Sequence, residues 1–167
     1  MLFDAVDMKP ATKRSHFLII ETLADTIWRS HYPSIISMAQ IDYMLAKFNS
    51  VSAIEAQVTH GALFFYITHN HKPVGYISIK NEDHYLFLSK FYILKAFRGR
   101  GIGTYTFNFI EAQAKAFNLD TIILKVNKHN TTSILAYEKL GFKKKRAIIT
   151  DIGQGFIMDD FEFVKRF

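Results

Sequence analysis

Apolar side chains recur at helical spacing in the first third of the chain. Between Thr12 and His31 they fall three or four residues apart, which is typical of a helix that buries one face. The members of this stripe are Phe17, Ile20, Leu23, Ala24, Ile27 and Trp28. The pattern predicts a helix over 12–31, capped by Thr12 and preceded by a short apolar start. Similar spacing predicts a second helix over 37–48 and a short third one over 51–60.

The pattern changes to short apolar runs after residue 61. Three runs, over 62–70, 73–80 and 85–94, are rich in aromatic and β-branched residues, and the turn-forming segments HNHK and NEDH separate them. Such short connections predict consecutive antiparallel hairpins. The run over 85–94 is apolar on both faces, which is typical of a central strand.

Helical and strand patterns alternate in the rest of the chain. The predicted elements are, in order, a helix over 101–118, a strand over 121–126, a helix over 130–140 and two closing strands over 143–150 and 156–167. No repeat, low-complexity tract or linker interrupts the chain, so a single domain over 1–167 is expected. The order of helices and strands predicts an α/β (α+β) fold in which helices cover a mixed sheet.

Composition limits the chemistry that the chain can perform. It has 167 residues, no cysteine and a formal net charge of +6. The lack of cysteine excludes disulfides, thiolate nucleophiles and cysteine-based zinc sites. The chain starts without the pattern of a secretory signal, and no apolar run is long enough to cross a membrane, so a cytoplasmic location without a membrane partner is expected. The positive charge suits an anionic cofactor, although an excess of surface lysine explains it equally well, and no motif indicates a nucleic-acid partner.

A glycine-rich segment, AFRGRGIGTYTF, is the strongest sign of a ligand site. Gly99, Gly101 and Gly103 alternate with Arg98 and Arg100 between a predicted strand and a predicted helix. Without Cβ atoms the backbone N–H groups can converge on an anion, and the helix N-terminus and the arginines add positive potential. The segment therefore predicts a loop that binds pyrophosphate, with a tight packed turn as the alternative.

Two common nucleotide-binding motifs do not fit this segment. A P-loop requires Lys-Ser or Lys-Thr after its last glycine, and neither follows Gly103. A dinucleotide fingerprint counted from Gly101 requires a third glycine where Thr106 stands. These departures favour a cradle that binds pyrophosphate without contacting a particular base.

The spacing of Arg98, Gly101 and Gly103 resembles the (Q/R)xxGx(G/A) signature with which the GNAT acetyltransferase superfamily binds the pyrophosphate of acetyl-CoA. The later segment NKHNTTSILAYEKLGF is similar to the next motif of that family. The resemblance implies a GNAT-like, mostly antiparallel central sheet with helices on both faces. It also implies acetyl-CoA as co-substrate, no metal, and acetyl transfer to a primary amine of a small molecule or peptide by direct attack in a ternary complex. Since dimers are common in the family, a homodimer is among the expected assemblies.

The resemblance also implies which residues bind the co-substrate. They are Phe91, Tyr92, Ile93, Arg98, Gly99, Arg100, Gly101, Ile102, Gly103, Thr104, Asn130 and Tyr137. The backbone of Phe91, Tyr92 and Ile93 would contact the thioester carbonyl and the pantetheine arm. Asn130 would bind that arm or cap its helix. Tyr137 would be the catalytic acid that protonates the leaving thiolate, with a core aromatic as the alternative.

The general base stays open at this level. A primary alkyl amine with a pKa of about 10.4 is mostly protonated at pH 7 and must lose a proton before it attacks. Candidate bases are Glu21, Asp25, Glu82, Asp83 and His84. The first two would equally suit a solvated helix face, and Glu82 and Asp83 ordinary turn chemistry.

The acceptor is expected to approach the first two helices and the hairpins, where aromatic residues accompany carboxylates. This combination suits a cation, and ordinary core and surface residues would give the same list. The candidate substrate residues are Glu21, Asp25, Trp28 and Tyr32, with Asp42, Tyr43, Phe64 and Tyr66 in the same region.

The segments YPSIISMAQIDYML and DIGQGFIMDDFEF resemble PaiA-type spermidine/spermine acetyltransferases and imply a polyamine-like acceptor. Both segments lie outside the cofactor motifs, so they indicate a subgroup. The alternative function is a non-catalytic module that senses acyl-CoA. Tyr137 argues against it, because binding alone requires no acid beside the sulfur.

Overall fold

The computed structural model describes residues 5–167, which form seven strands and five α-helices around one sheet. The strands are β1 Val6–Ala11, β2 Leu63–His69, β3 Lys72–Asn81, β4 Leu86–Ile93, β5 Thr121–Asn127, β6 Lys143–Gly153 and β7 Phe156–Arg166. The helices are α1 Arg14–His31, α2 Met38–Phe48, α3 Val51–Thr59, α4 Ile102–Ala116 and α5 Thr131–Lys139. The order across the sheet is β1-β2-β3-β4-β5-β7-β6, and each neighbouring pair is antiparallel except β4 and β5. The predicted mixed, mostly antiparallel sheet is confirmed.

Strand β1 is missing from the sequence prediction, which places only a short apolar start before the first helix. It lies at the edge of the sheet and pairs only with β2. Within its segment VDMKPA only Val6 and Ala11 are buried. Pro10 has no backbone N–H that could donate to a second neighbouring strand. Such an edge strand lacks the alternation by which a half-buried strand is recognised.

Helix α1 buries the predicted stripe of six apolar residues, but it begins two residues later than predicted. Lys13 is the N-cap residue and makes no side-chain capping bond. Thr12 does not cap the helix, since its backbone N–H instead donates to Nδ1 of His16 at 3.1 Å. Ser37 does cap α2, because its Oγ accepts from the N–H of Gln40 at 3.1 Å.

Helices cover both faces of the sheet, as predicted. Tyr76 and Ile77 are neighbours on β3 and therefore point to opposite faces. Tyr76 packs in the core formed with α1, α2 and α3, beside Ile20 and Ile41. Ile77 packs in the second core, beside Phe107 of α4. Each face of the sheet thus has its own apolar core.

Strand β4 separates from β5 toward its end. The two strands pair over only three residues of β4, Leu86–Leu88. The N–H of Leu94 donates to the carbonyl of Val74 on β3 at 2.8 Å. Because bonding alternates along an antiparallel pair, the N–H groups of Phe91 and Ile93 face the gap, whereas that of Tyr92 faces β3. The gap therefore offers two unpaired backbone donors.

Gly75 on β3 allows the end of β4 to lie close by. A Cβ on Gly75 would lie 2.4 Å from the carbonyl oxygen of Tyr92 and 3.2 Å from Cα of Ile93. Both are backbone atoms, so Gly75→Ala is expected to displace the end of β4 and lower the free energy of unfolding by about 1–3 kcal/mol. Urea unfolding measures this change.

Gly103→Ala is the control for that prediction. A Cβ on Gly103 would meet only Cδ1 of Ile93, at 3.8 Å. Since Gly103 lies in α4, alanine should leave the protein equally stable or stabilise it by up to about 1 kcal/mol. The same loss of stability in both variants would show that the close approach at Gly75 is not the cause.

Candidate active site

A cleft of about 490 Å³ opens where β4 parts from β5, between the end of β4 and the helices α4 and α5. Eight residues assigned to the co-substrate from sequence line it: Phe91, Tyr92, Ile93, Arg98, Gly99, Gly103, Thr104 and Tyr137. Further lining residues that the sequence analysis did not assign are His31, Thr132, Ser133, Ala136, Lys139 and Leu140. The structure thus gathers strand, loop and helix residues around one cleft.

The loop between β4 and α4 has a backbone that only glycine adopts easily. Gly99 and Gly101 have φ angles of 73° and 83°, in the left-handed region. Gly101 is the N-cap residue of α4, and no side chain caps this helix. The first bond within α4 joins the N–H of Tyr105 to the carbonyl of Gly101. The N–H groups before Tyr105 therefore have no partner within the helix and create positive potential at the cleft.

Four residues of the predicted set do not line the cleft. Arg100 instead places its guanidinium 5.3 Å from the ring centre of Phe97. The side chain of Ile102 is fully buried in the core, so only its backbone faces the helix terminus. Gly101 contributes the N-cap backbone described above. Asn130 is buried and makes no capping bond; its Oδ1 lies 3.0 Å from Nε2 of His31.

Tyr137 presents a free hydroxyl at this cleft. Its ring packs nearly edge-on against Phe91 and Phe142, with centroid distances of 6.5 and 5.6 Å. Its hydroxyl makes no hydrogen bond to any of residues 5–167. Burial raises the pKa of Tyr137 well above its usual value. The phenol therefore keeps its proton at neutral pH and is available to donate it.

A group of tyrosines lies behind the cleft on the α1 face of the sheet. The hydroxyls of Tyr32 and Tyr92 are 3.1 Å apart, and burial raises the pKa of Tyr32 to about 12. Nε1 of Trp28 donates to the hydroxyl of Tyr76 at 3.2 Å, and the Trp28 ring packs 4.4 Å from that of Tyr32. Neither of the two aromatic substrate candidates lines the cleft: buried Tyr32 contacts the lining residue Tyr92, and buried Trp28 packs against Tyr32.

Glu21 and Asp25 do not reach Tyr137. They line a separate surface cleft beside α1 and α2, which shares no residue with the first one. Oε2 of Glu21 accepts from the N–H of Val51 at the start of α3, at 2.8 Å. Asp25 pairs with Arg29 at 2.8 Å. Both carboxylates therefore have partners within the helical layer, and their assignment as substrate residues or bases stays a prediction that this placement does not favour.

The hairpin candidates are also far from the cleft. Glu82, Asp83 and His84 precede β4, whereas Phe91 and Ile93 lie at its other end. A rise of about 3.3 Å per residue puts about 20 Å between these ends. Glu82 pairs with Lys80 at 3.6 Å. Because a base must act within hydrogen-bond reach, this distance does not favour the prediction that one of these three residues is the base.

The remaining residues of the expected acceptor region are structural. Phe64 is buried in the core beneath α1, and the ring of Tyr66 packs 5.6 Å from that of His16. The hydroxyl of Tyr43 donates to the carbonyl of Ile152. Asp42 pairs with Arg29 at 2.8 Å.

His31 is a titratable residue of the cleft that the sequence analysis missed. Because an amide oxygen only accepts, the contact with Oδ1 of Asn130 assigns the proton to Nε2 of His31 and leaves Nδ1 with a free lone pair. Burial lowers the pKa of His31, and the positive charge of Arg98 lowers it further. His31 is therefore neutral at pH 7. Its position in the last turn of a helix is typical of a surface histidine, so no sequence signal marked it.

The structure also bears on metals and membranes. No group of three or more histidines or acidic residues within residues 5–167 is placed to hold a metal ion. None of the helices in this part of the chain is both long and apolar enough to span a membrane.

Comparison with known proteins connects this geometry to a family. The model of the acetyltransferase (GNAT) family matches residues 21–142, which is most of the chain and includes the loop and Tyr137. The chain belongs to the GNAT acetyltransferase family. No curated protein matches it in sequence.

Solved structures of other GNAT proteins share this fold. The PaiA N-acetyltransferase from Thermoplasma acidophilum, solved with coenzyme A, has a TM-score of 0.80 at 19% identity and covers 97% of this chain and 99% of its own. A GCN5-related N-acetyltransferase from Rhodopseudomonas palustris has a TM-score of 0.81 at 17% identity, with coverage of 100% and 99%. RimL, a ribosomal L7/L12 alpha-N-protein acetyltransferase solved with coenzyme A, has a TM-score of 0.68 at 12% identity, with coverage of 99% and 96%. At these identities the likeness concerns the fold.

GNAT acetyltransferases use acetyl-CoA as their co-substrate, and the cleft of this GNAT protein fits it. The unpartnered N–H groups at the start of α4 suit the pyrophosphate. A Cβ on Gly99 would meet no atom within 4 Å, so the loop leaves room beside it. The N–H groups of Phe91 and Ile93 suit the polar pantetheine arm and the thioester carbonyl.

Proposed function

We propose that this GNAT protein transfers the acetyl group of acetyl-CoA to a primary amine of a polyamine-like small molecule or a peptide, by direct attack in a ternary complex. The observation that carries the proposal is the free hydroxyl of Tyr137 beside the gap between β4 and β5. A half-buried phenol with an unused proton is what a leaving thiolate requires. Chemistry of this kind needs nothing from a metal.

Each part of the cleft has a role in this proposal. The N-terminus of α4 binds the pyrophosphate. This anchor sets how far the pantetheine arm of acetyl-CoA reaches into the gap between β4 and β5. The N–H groups of Phe91 and Ile93 donate to the thioester carbonyl oxygen as negative charge develops on it, and one such donor contributes about 3 kcal/mol. Tyr137 donates its proton to the departing sulfur. Arg98 stabilises the end of β4, since its Nε donates to the carbonyl of Ile93 at 2.9 Å.

The acceptor class rests on the need for a nucleophile that is neutral when it attacks. A polyamine-like or peptide amine satisfies this need once a base has taken its proton. The likeness of two segments to PaiA-type enzymes, and the fold shared with the PaiA N-acetyltransferase, favour the polyamine-like acceptor. A sensor that only binds acyl-CoA is the second candidate, and it gives no role to the Tyr137 hydroxyl.

A panel of amines tests the proposal. Release of free thiol from acetyl-CoA is followed with spermidine, alkyl diamines, amino acids, aminoglycosides and peptides with free N-termini, and mass spectrometry identifies the acetylated product. We expect turnover with at least one primary amine and a mass increase of one acetyl group on it. Tight binding of acetyl-CoA without thiol release for any amine would instead establish the sensor.

A further inference from the structure

Asp160 on β7 is a buried carboxylate without a partner. Its side chain is only 6% exposed, and it makes no hydrogen bond or ion pair with any of residues 5–167. The other acidic residues nearby on β7 do have ion-pair partners: Asp159 pairs with Lys128, and Glu162 pairs with Arg146. An isolated buried carboxylate is costly, so its retention calls for a ligand that supplies the missing positive charge.

The side chain of Asp160 points to the face of the sheet that carries α1. Residues two apart on a strand share a face, and Met158 packs in the same core as Tyr32. Phe161 and Phe163, in the alternate positions, pack in the core beneath α4 and α5. The negative charge of Asp160 contributes to the raised pKa of Tyr32, which places the two groups in the same environment.

This side of the sheet is open next to Asp160. Helix α1 packs on β2, β3 and β4, and β5 beyond them carries the exposed Lys125 and the half-buried Asn127 on the same face. Asn127 lies directly opposite Asp160 in the pairing of β5 with β7. Asp160 therefore lies near the edge of the helical layer, on the same face of the sheet as Tyr32.

Residues assigned to the co-substrate and the group formed by Tyr32 and Asp160 lie on opposite faces of the sheet. Tyr137 and the loop before α4 belong to the α4 and α5 face, whereas Tyr32 and Asp160 belong to the α1 face. The gap between β4 and β5 connects them, with the N–H groups of Phe91 and Ile93 in it. An acceptor that enters on the α1 face meets the thioester in this gap.

We propose that Asp160 binds the ammonium group of the acceptor and then accepts its proton, which makes the acceptor a cationic primary alkyl amine. The inference rests on the proposed function and deepens it. One proton passes from the ammonium to Asp160, and the nitrogen lone pair forms the amide bond with the acetyl carbon. The carbon–sulfur bond breaks, and the thiolate takes the proton of Tyr137. The second proton that the nitrogen loses on becoming an amide returns through solvent to the Tyr137 phenolate, and Asp160 releases its proton to solvent.

The surroundings of Asp160 are compatible with a proton acceptor. The pKa of Asp160 is raised to about 6, because the effect of burial outweighs the lowering by Lys125 of β5, and Asp159 adds a smaller rise. On β6, Arg146 is occupied by Glu162, and directly after α1 the facing group is the C-cap residue Tyr32, which is neutral at pH 7. The carboxylate is thus ionised at pH 7, yet a stronger base than an ordinary aspartate.

Asp160→Asn, with Asp159→Asn as the matched control on the opposite face, tests the assignment. We expect Asp160→Asn to lower kcat/KM for butylamine and spermidine about a hundredfold, and Asp159→Asn to change it less than about threefold. Because the ionised form of Asp160 accepts the proton, wild-type kcat/KM should fall as pH drops through about 6. The pH profile of Asp160→Asn should lack this acid limb. Asp160→Glu should restore part of the rate.

Two further measurements do not depend on turnover. Trp28, the only tryptophan, reports amine binding through its fluorescence beside Tyr32, and Asp160→Asn should abolish the response to butylamine in the presence of coenzyme A. Because the folded-state pKa of Asp160 is raised to about 6, this group lowers stability progressively as pH rises from about 4, the ordinary aspartate pKa, to about 6, and the full cost remains above that. Asp160→Asn should therefore raise the melting temperature at pH 7.5 and change it little at about pH 3.5.

The outcomes separate this assignment from the proposed function. Turnover and an acid limb that survive in Asp160→Asn overturn the assignment alone, and loss of that limb in His31→Asn instead assigns the base to His31. A lower melting temperature of Asp160→Asn at pH 7.5 would indicate a structural role and also overturn it. Wild-type protein that turns over no amine would overturn the assignment and the proposed function together.

Discussion

Replacing Tyr137 with phenylalanine is expected to lower kcat about a thousandfold, within the usual range for loss of a general acid, and to leave the affinity for acetyl-CoA nearly unchanged. The reason is that phenylalanine keeps the ring contacts with Phe91 and Phe142 and removes only the unpaired hydroxyl. Without that proton the sulfur must leave as a thiolate. Thiol-release kinetics measure kcat, and calorimetric titration measures acetyl-CoA binding.

The pH profile gives a second check on Tyr137. Burial raises the pKa of Tyr137 above the ordinary value of about 10. The turnover rate of the wild type should therefore not fall through deprotonation of Tyr137 at any pH below about 10. Tyr85→Phe is the matched control, because Tyr85 is also half-buried but precedes β4 at the end far from the gap. Full turnover of Tyr137→Phe across the pH range would remove the acid role, and equal losses in both variants would point to a general effect on folding.

The features that lie within one stretch of sequence could be predicted. The stripe of α1, the hairpins and the glycine loop each depend on residues close together in the chain, and the backbone angles of Gly99 and Gly101 follow from their sequence. Strand β1 was missed, because its pairing with β2 crosses more than fifty residues and its own segment shows no alternation. Local pattern identifies an element only when that element buries a regular face.

The acidic part of the site could not be predicted for a related reason. Glu21 and Asp25 stand among aromatic residues in sequence, yet their partners are Val51 and Arg29 within the helical layer. Asp160 stands in the ordinary-looking run MDDFEF, and its isolation appears only once β7 is inserted between β5 and β6. Whether a carboxylate is paired depends on sheet order and register, which the sequence does not display.

Replacing Gly99 with glutamate is expected to weaken acetyl-CoA binding about a thousandfold. Gly99 lines the cleft at the loop that precedes α4, and a side chain there has open space in front of it. A carboxylate about 4 Å from a phosphate charge costs about 4 kcal/mol at an effective dielectric constant of about 20, which corresponds to roughly a factor of a thousand in the dissociation constant. Calorimetric titration with coenzyme A measures the loss directly and requires no acceptor.

Gly155→Glu separates this charge effect from backbone strain. Gly155, in the turn between β6 and β7, has a φ of 78°, close to the 73° of Gly99, and a Cβ on it would also meet nothing within 4 Å. Both substitutions therefore impose the same left-handed strain of about 1–2 kcal/mol on folding, but only one places a charge at the cleft. Equal melting temperatures with a loss of binding in Gly99→Glu alone would assign the pyrophosphate to the loop. Unchanged affinity in a folded Gly99→Glu protein would place the pyrophosphate elsewhere and leave the glycines as a packed turn.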